Sequence, residues 1–528
     1  MPSQAASVSA LLLGLTTCAS AALYDQVIQT QYGPIQGYAA FNSPFTGNLT
    51  HWKDITVWKG IPFAATTAGE NRFKPPQPVT GWTETFNASS WGDICPDSSS
   101  SSSYTVSEDC LSLNIWSAAN STDAKLPVVM WSYPGLSTAA DALFDGGGMA
   151  DQGIVYVNYN YRASSFGWLA LPELSEERYE ETGYNSSGNW GMLDQFAALQ
   201  WIYENIANFG GDPNHITVMG QSSGSAATYH ILNSPLTKGL IKGAIIESGV
   251  RDPQDPLCTS LAESYTPLNE SLQAGKEFMA SLNVTTLAEL RALPMEDLES
   301  SPSNPGSIEF TATLDGYAMP ATYYDTLVQG LAHNVPIITG NTKDESGAAY
   351  GLNITVDTYL SDFNSTFSGE WLDKFLALYP ADNDTAASGA VNSQWTDRSK
   401  VGTWLWTQMW LASNVTTAPV YNYYWDHAPP GMDQGAYHES EINYVLNNLY
   451  DTDLSWEEED YNIARQMNGY WANFIKTGDP NGEGLTTWDP VNSSQLVQHV
   501  GDGWGAIQVA PAAKIELFKA WFATLEKY

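Results

Sequence analysis

Gly220-Gln221-Ser222-Ser223-Gly224 is the stretch of this chain that decides its fold. It follows an apolar run at 216–219 and precedes small residues at 225–227, so it joins a predicted strand to a predicted helix. A G-x-S-x-G at such a junction is typical of a nucleophile elbow, a turn so tight that both ends need glycine. The turn lifts the Ser222 hydroxyl above the backbone, where the following helix N-terminus favours negative charge. Ser222 is therefore the first candidate catalytic residue.

Strand and helix patterns alternate along the chain around this turn. Apolar residues at helical spacing predict a helix over Trp190–Asn208. Buried strands are predicted at Leu126–Trp131, Ile154–Tyr159, Ile216–Met219, Gly243–Glu247 and Pro336–Thr339. This alternation favours an α/β fold with a mostly parallel sheet and helices on both faces. In such sheets the chemistry lies at the carboxyl ends of the strands, where Ser222 falls.

The composition describes a large, acidic globular protein. The 528 residues are 43% hydrophobic and carry a formal net charge of −37. The length allows several domains, but no repeat or low-complexity linker divides the chain, so one domain with insertions is expected over residues 22–528. The negative charge would repel nucleic acid and anionic membrane surfaces, so neither is an expected partner.

The N-terminus resembles a targeting segment. Residues 10–16 form a short apolar core, and Ala19-Ser20-Ala21 has the A-x-A pattern of a cleavage site, although no Lys or Arg precedes the core. Residues 1–21 are thus predicted to be a signal peptide, and the mature protein is predicted to be secreted and extracellular. No other run reaches the roughly 18 apolar residues of a spanning helix, so no membrane anchor is expected.

N-glycosylation sequons agree with secretion. Because N-x-[ST] also arises by chance in a Ser/Thr-rich chain, only about half of them are expected to carry glycan. The sequons begin at Asn48, Asn87, Asn120, Asn185, Asn269, Asn283, Asn353, Asn364, Asn383, Asn414 and Asn492.

Three cysteines remain after the predicted signal peptide. Cys95 and Cys110 enclose a polar stretch of 14 residues and are the natural disulfide pair in an oxidising compartment. Closing a loop of this length should stabilise the fold by roughly 3 kcal/mol. Cys258 is expected to be a buried thiol, and its role stays open.

Longer segments resemble one family. Phe209–Gly224 is similar to the serine signature of the type-B carboxylesterases, the cholinesterase-like branch of the α/β-hydrolases, and Ser107–Ile115 is similar to their second signature. Gly188–Gln195 and Tyr470–Asn481 look like two further blocks of that family. The resemblance extends from about Thr30 to the C-terminus. Within the family, the chain resembles secreted fungal carboxylesterases. The resemblance implies an α/β-hydrolase fold and a serine esterase that uses no cofactor.

The resemblance also nominates the partners of Ser222. The family carries its acid in a G-x-x-x-D-E-G segment, which residues 340–346 match except for a final serine, and the acid falls on Glu345. The family's histidine lies in a G-x-x-H-x-x-E segment and falls on His438. In such a triad the imidazole accepts the hydroxyl proton, and the carboxylate fixes the imidazole tautomer. The base is expected to titrate with an apparent pKa at or somewhat below about 7.

Other residues compete for these roles. Asp344 is the alternative acid, while His215 is expected in a surface turn and His230 on a helix, packed or solvated. The acidic run at 451–460 lacks the Asp-x-Asp-x-Asp-Gly loop of a calcium site. Residues 146–148 lack the Lys and Ser/Thr of a phosphate-binding loop. Neither a metal nor another cofactor is therefore expected.

The oxyanion hole is where the chain departs from the family. Family members carry His- or Tyr-Gly-Gly-Gly after the strand, and residues 133–136 are Tyr-Pro-Gly-Leu instead. The expected donors are the backbone N–H groups of Gly135, Leu136 and Ser223. The Leu136 side chain is expected to restrict this loop or to crowd the acyl group. Gln221 stands where the family often has glutamate, which removes one negative charge from the site.

The loop between Cys95 and Cys110 narrows the class of substrate that we expect. In cholinesterases it carries a tryptophan for a quaternary ammonium, and in the family's lipases it forms an apolar lid. Here it is rich in Ser and Asp, and Tyr104 is its only aromatic residue. The expected partner is a soluble, small-molecule ester of a small or medium acid, such as a secreted natural product or plant-derived ester. An extracellular lipase and a non-catalytic binding module remain alternatives, and the oligomeric state stays open.

Overall fold

The protein is described from a computed structural model. It describes residues 22–42, 48–96, 103–261, 265–299, 308–330, 332–345, 351, 353–413 and 416–528. The predicted signal peptide and Asn414 lie outside these ranges.

Strands form a large central sheet and two small ones in the described ranges. Their bounds are β1 Val27–Thr30, β2 Gly33–Gln36, β3 Tyr38–Ala39, β4 Thr56–Pro62, β5 Phe86–Asn87, β6 Ser112–Ser117, β7 Leu126–Ser132, β8 Val155–Tyr159, β9 Gly211–Gln221, β10 Gly243–Glu247, β11 Thr266–Pro267, β12 Thr313–Leu314, β13 Ile337–Thr342, β14 Val420–Trp425, β15 Leu496–Val500 and β16 Gly505–Gln508.

The helices occupy the connections between the strands. Their bounds are α1 Gly147–Asp151, α2 Ser164–Trp168, α3 Pro172–Thr182, α4 Trp190–Asn205, α5 Ser223–Asn233, α6 Leu268–Ser281, α7 Leu287–Ala292, α8 Met295–Leu298, α9 Tyr323–Gln329, α10 Val356–Thr366, α11 Glu370–Leu378, α12 Asp384–Ala412, α13 Ile442–Leu446, α14 Glu458–Thr477 and α15 Ala512–Phe522. Within the described ranges, none of them is long and apolar enough to cross a membrane.

The central sheet has eleven strands in the order β3-β4-β6-β8-β7-β9-β10-β13-β14-β15-β16. Neighbours from β8 to β15 run parallel, while the pairs at both edges are antiparallel. Every residue of β8, β10, β13 and β14 is buried, as a parallel sheet covered on both faces requires. The predicted α/β class with a mostly parallel central sheet is confirmed.

The five predicted strands are confirmed as β7, β8, β9, β10 and β13. The largest difference between predicted and observed strand ends is at β9. This strand begins at Gly211 instead of Ile216, because Gly211 pairs with Leu126 on the neighbouring strand. The predicted helix is confirmed as α4, but it ends at Asn205 and passes into a 3-10 turn that closes at Gly210 with a φ of +83°. Only glycine adopts that conformation without strain, so the chain reverses there into β9.

The cysteines and the sequon residues lie as follows. Cys95 and Cys110 form a disulfide, with their Cα atoms 5.0 Å apart. Cys258 is buried, and its thiol donates to the carbonyl of Asp252 at 3.3 Å.

Of the ten described sequon asparagines, all are exposed except Asn48, whose side-chain nitrogen is buried without a hydrogen-bond partner among the described residues. A glycan needs access to that nitrogen, so burial argues against Asn48 as an acceptor.

Candidate active site

Ser222 occupies the turn between β9 and α5. Its φ is +56° and its ψ is −121°, a backbone conformation that a non-glycine residue adopts only under strain. A Cβ on Gly220 would lie 2.2 Å from the carbonyl oxygen of Gly224, and a Cβ on Gly224 would lie 1.9 Å from that of Ser132. Both glycines of the motif are therefore required by close backbone approach, which is the geometry of a nucleophile elbow.

The carboxyl ends of the parallel strands gather the other predicted residues near this turn. Ser132, the last residue of β7, pairs with Gly220, so Gly135 follows immediately beside the elbow. Glu345 follows the end of β13 by three residues, and His438 lies between β14 and α13. These positions are separate in sequence and are brought to one edge by the order of the strands.

His438 and Glu345 are in direct contact. His438 Nδ1 lies 2.5 Å from Glu345 Oε2, and the N–H of Thr342 donates to Glu345 Oε1 at 3.1 Å. Glu345 is buried, so its carboxylate needs such donors. With Nδ1 donating to the carboxylate, the neutral imidazole presents the lone pair of Nε2. That nitrogen is the atom that a hydrolytic base uses.

Asp344, the alternative acid, holds the backbone that carries the histidine. Its Oδ2 accepts from the N–H of Ala436 at 2.9 Å, and its own N–H donates to the Ala436 carbonyl at 3.0 Å. Its Oδ1 accepts from the Asn392 amide at 3.3 Å. The two adjacent acids therefore have different partners, and Glu345 is the one at the imidazole.

The other two candidate histidines have partners away from Ser222. His215 Nε2 lies 2.9 Å from the carbonyl oxygen of Ile475 in α14. His230 is buried in α5, where its Nδ1 lies 3.4 Å from Oε1 of Gln195. His230 is thus packed rather than solvated. The predicted surface turn at His215 is wrong, because His215 lies half-buried in β9 and contacts α14.

Carboxylates around His438 raise its pKa to about 9. Burial alone would lower this pKa, but the charge and hydrogen bond of Glu345, followed by the charges of Glu441 and Glu439, outweigh burial. Burial would likewise raise the pKa of Glu345, but attraction to His438 outweighs it and lowers that pKa. This shift lies in the opposite direction from the expected apparent pKa at or somewhat below about 7, which a pH–rate profile tests.

Two further carboxyl groups, Glu247 and Glu441, are fully buried close to this pair. Burial raises the pKa of Glu247 to about 8, although the indole N–H of Trp471 donates to it at 2.6 Å. Burial and the charge of Glu247 raise the pKa of Glu441 well above its ordinary range. Because two neighbouring buried carboxylates repel each other, the pair holds at least one proton near neutral pH. The sequence reasoning gave neither residue a role, although Glu247 ends a predicted buried strand and Glu441 is the final glutamate of the G-x-x-H-x-x-E segment.

The predicted oxyanion-hole residues lie on facing turns. A Cβ on Gly135 would lie 3.0 Å from Ser223 Oγ, so the turn after β7 packs against the start of α5. Leu136 has a φ of +65°, and its side chain is 77% exposed. Its side chain therefore packs against little of the protein, and the constraint it places on the loop is its strained backbone.

Backbone strain is concentrated at this edge of the sheet. Nine described non-glycine residues have positive φ, and four of them lie here: Leu136 at 65°, Ser222 at 56°, Ser248 at 50° and Glu439 at 83°. Strained conformations persist only where the surrounding structure fixes them, and they cluster at functional sites. Each of these four residues follows a strand end or lies beside a predicted triad residue, so the strain marks the same site as the side chains.

A mostly parallel sheet with a serine elbow, a histidine and an acid at its carboxyl edge defines the α/β-hydrolases. The chain belongs to the carboxylesterase family, whose sequence model matches residues 24–502, and it is a carboxylic ester hydrolase.

Curated relatives and solved structures agree with this assignment. The chain is 30% identical over 511 residues to the fumonisin B1 esterase of Sphingopyxis macrogoltabida, covering 90% of this chain and 87% of that protein. It is 29% identical over 489 residues to the para-nitrobenzyl esterase of Bacillus subtilis (strain 168), covering 87% and 91%. A solved PNB esterase structure superposes with a TM-score of 0.74 at 26% identity, covering 93% of this chain and 99% of that one. A Geobacillus stearothermophilus carboxylesterase gives the same TM-score and coverage at 27% identity.

Proposed function

We propose that this protein is a secreted serine carboxylesterase that hydrolyses soluble esters of small or medium acids through an acyl-enzyme. The observation that carries the proposal is the contact between His438 and Glu345 at the sheet edge that also bears the Ser222 elbow. A nucleophile, a base and an orienting acid are the three groups that such a reaction needs.

The reaction has two halves. In the first, Ser222 Oγ attacks the ester carbonyl carbon while its proton passes to His438 Nε2, and the imidazolium then protonates the departing alcohol oxygen. The acyl group stays on Ser222. In the second half, water gives a proton to His438 and attacks the acyl carbonyl, and the acid leaves as the proton returns to Ser222 Oγ. Glu345 stabilises the imidazolium in both halves.

Negative charge on the carbonyl oxygen needs hydrogen-bond donors in both halves. We assign this role to the backbone N–H groups of Gly135, Leu136 and Ser223, which lie on the facing turns. Each lost donor costs about 2.7–4 kcal/mol of transition-state stabilisation. Pro134 has no N–H, but it precedes the donor positions.

The preference for soluble esters rests on the loop closed by Cys95 and Cys110. The hydroxyl of Tyr104 donates to the Ala140 carbonyl at 3.1 Å, which ties this loop to the segment after β7. The polar composition of the loop offers little apolar surface to a lipid interface, and the net charge of −37 discourages docking to anionic surfaces. The relatives are named for different esters, so their names do not select one substrate for this chain. We keep a natural-product or plant-derived ester as the proposed class.

Secretion is supported by three features. Residues 1–21 have the pattern of a signal peptide, and nine described sequons have exposed asparagines. The Cys95–Cys110 disulfide is typical of an oxidising compartment.

A covalent serine probe tests the proposed chemistry. We expect a fluorophosphonate to label the native protein once per chain, at Ser222, as located by peptide mass spectrometry. Ser222→Ala should abolish both labelling and hydrolysis, and His438→Ala should be about as damaging because triad members act as a unit. Labelling at another residue would contradict the proposal. So would a folded, active protein in which Ser222 does not react with the probe.

An ester series separates an esterase from a lipase. We expect kcat/KM for p-nitrophenyl esters to be higher for acetate to butyrate than for laurate, with no jump when a substrate passes its solubility limit. A steady rise to long chains or a surge on emulsion formation would favour the lipase instead.

A further inference from the structure

Gln221 is a buried amide at the end of β9, directly before the nucleophile. Its side chain is fully buried, and its Nε2 lies 3.4 Å from Nε2 of His438. Its Oε1 is buried and has no hydrogen-bond partner among the described residues. A buried amide oxygen without a partner is unfavourable by about 1–3 kcal/mol, so this group calls for an explanation.

The protonation state of His438 determines which end of the amide can bind it. In the neutral imidazole Nδ1 donates to Glu345, so Nε2 carries a lone pair that can accept from the amide N–H of Gln221. The distance of 3.4 Å is longer than an ordinary hydrogen bond, so this contact is weak. Once Nε2 has taken a proton it becomes a donor, and then only the amide oxygen can pair with it.

A carboxamide is suited to both states. Its two ends have nearly the same shape, so a half turn about the last side-chain bond exchanges the oxygen and the nitrogen with little change in packing. That half turn would give the Gln221 oxygen a donor when His438 becomes charged. An ionised glutamate at this position would accept from the imidazolium but could not donate to the neutral imidazole.

We propose that Gln221 is a positioning residue that contacts His438 Nε2 in both protonation states as the weaker branch of a three-centre hydrogen bond, donating before proton transfer and accepting after it, while Ser222 or the departing alcohol takes the stronger branch. This inference rests on the proposed function, in which His438 is the base. The amide adds no charge to a site where Glu345, Glu439 and Glu441 already face the imidazole. Glu247 lies opposite Gln221 in the register of β9 and β10 and faces Glu441.

The test compares Gln221→Met with a matched substitution elsewhere. Methionine keeps the length and burial of the side chain but removes both hydrogen-bonding ends. The control is Gln195→Met, because Gln195 is also buried and its amide also lies 3.4 Å from a histidine nitrogen, that of His230. Both variants are assayed with p-nitrophenyl butyrate from pH 5 to 10, and folding is checked by circular dichroism.

For Gln221→Met we expect kcat to fall about three- to tenfold with KM within about twofold, which corresponds to the loss of one hydrogen bond of ordinary net strength. The acid limb of kcat/KM should move to lower pH, because the imidazolium loses an acceptor. Gln221→Glu should move the limb to higher pH, because a carboxylate stabilises the imidazolium. Gln195→Met should leave the limb in place.

A limb that moves to lower pH in Gln221→Met supports the inference, and a limb that does not move to lower pH in that variant overturns it. Ser222→Ala and His438→Ala are assayed alongside. If either of them keeps full hydrolysis, the proposed function itself fails; if both lose it while the limb of Gln221→Met does not move to lower pH, only the role of Gln221 fails.

Discussion

Nδ1 of His438 and Oε2 of Glu345 lie 2.5 Å apart although 93 residues separate them in the chain. The loop carrying His438 is held by the neighbouring acid, Asp344, whose carboxylate accepts from the N–H of Ala436 and whose own N–H donates to the Ala436 carbonyl. Adjacent carboxylates thus divide two tasks: one fixes the loop, and the other binds the imidazole.

That division predicts different effects of two conservative variants. Glu345→Gln should lower kcat by about 10²- to 10⁴-fold, because an amide can hold the wrong histidine tautomer and cannot stabilise the imidazolium by charge. Asp344→Asn should lower kcat less and should lower the melting temperature, since it weakens the hold on the loop. Steady-state kinetics and thermal unfolding of both variants check this. A larger kinetic loss in Asp344→Asn would mean that the assignment of the acid is off by one residue.

The pH profile follows from the raised pKa of His438. A protonated imidazole cannot accept the Ser222 proton, so kcat/KM should fall as pH falls through this pKa. Because Glu345 raises the pKa toward about 9, the acid limb should lie above the ordinary histidine value. Glu345→Gln should move the limb to lower pH. Rates at saturating and limiting p-nitrophenyl butyrate from pH 5 to 10 give the profile, and a limb below pH 6.5 would contradict the resting-site geometry.

Glu247 predicts a pH dependence of stability. Its pKa is raised in the folded state, so the folded protein binds more protons than the unfolded chain at intermediate pH. Its stabilising contribution is complete below its unfolded pKa and is lost as pH rises toward about 8. Glu247→Gln should reduce the loss of stability as pH rises, by at most about 1.4 kcal/mol of unfolding free energy per pH unit. The apparent melting temperature should therefore fall less steeply with pH in this variant. Scans at one heating rate from pH 5 to 9 measure it, and an unchanged slope would show that Glu247 is ionised when folded.

Leu136 predicts the acyl-chain preference. Leu136→Gly should remove its side chain from beside the proposed oxyanion hole and relax a backbone held at a φ of +65°. We expect kcat/KM for laurate relative to butyrate to rise about tenfold, equivalent to about 1.4 kcal/mol. Lys125→Gly is the control, because Lys125 is also a positive-φ residue, with a φ of +53°, and is exposed. An equal change in both variants would assign the effect to general backbone relaxation and not to the site.

The sequence by itself determined the features that depend on neighbouring residues. The G-x-S-x-G turn identified the strained serine, because a Cβ at Gly220 or Gly224 would lie within 2.2 Å of a backbone carbonyl oxygen and only glycine lacks one. Apolar runs identified five strands of the sheet, since a strand buried on both faces needs continuous hydrophobic residues. The predicted ends of β9 and α4 were less accurate. The start of β9 depends on its pairing with β7, and the end of α4 depends on the turn at Gly210.

Only the tertiary structure decided features that join distant segments. Gln221 and His438 are 217 residues apart, and the approach of their nitrogens depends on how the strand ends meet. The same packing brings Glu345 and Glu441 to the imidazole beside Glu439 and raises the pKa of His438, which the spacing of residues along the chain cannot predict. Electrostatic energies depend on distance and burial in space, whereas sequence patterns record only local periodicity and turn geometry.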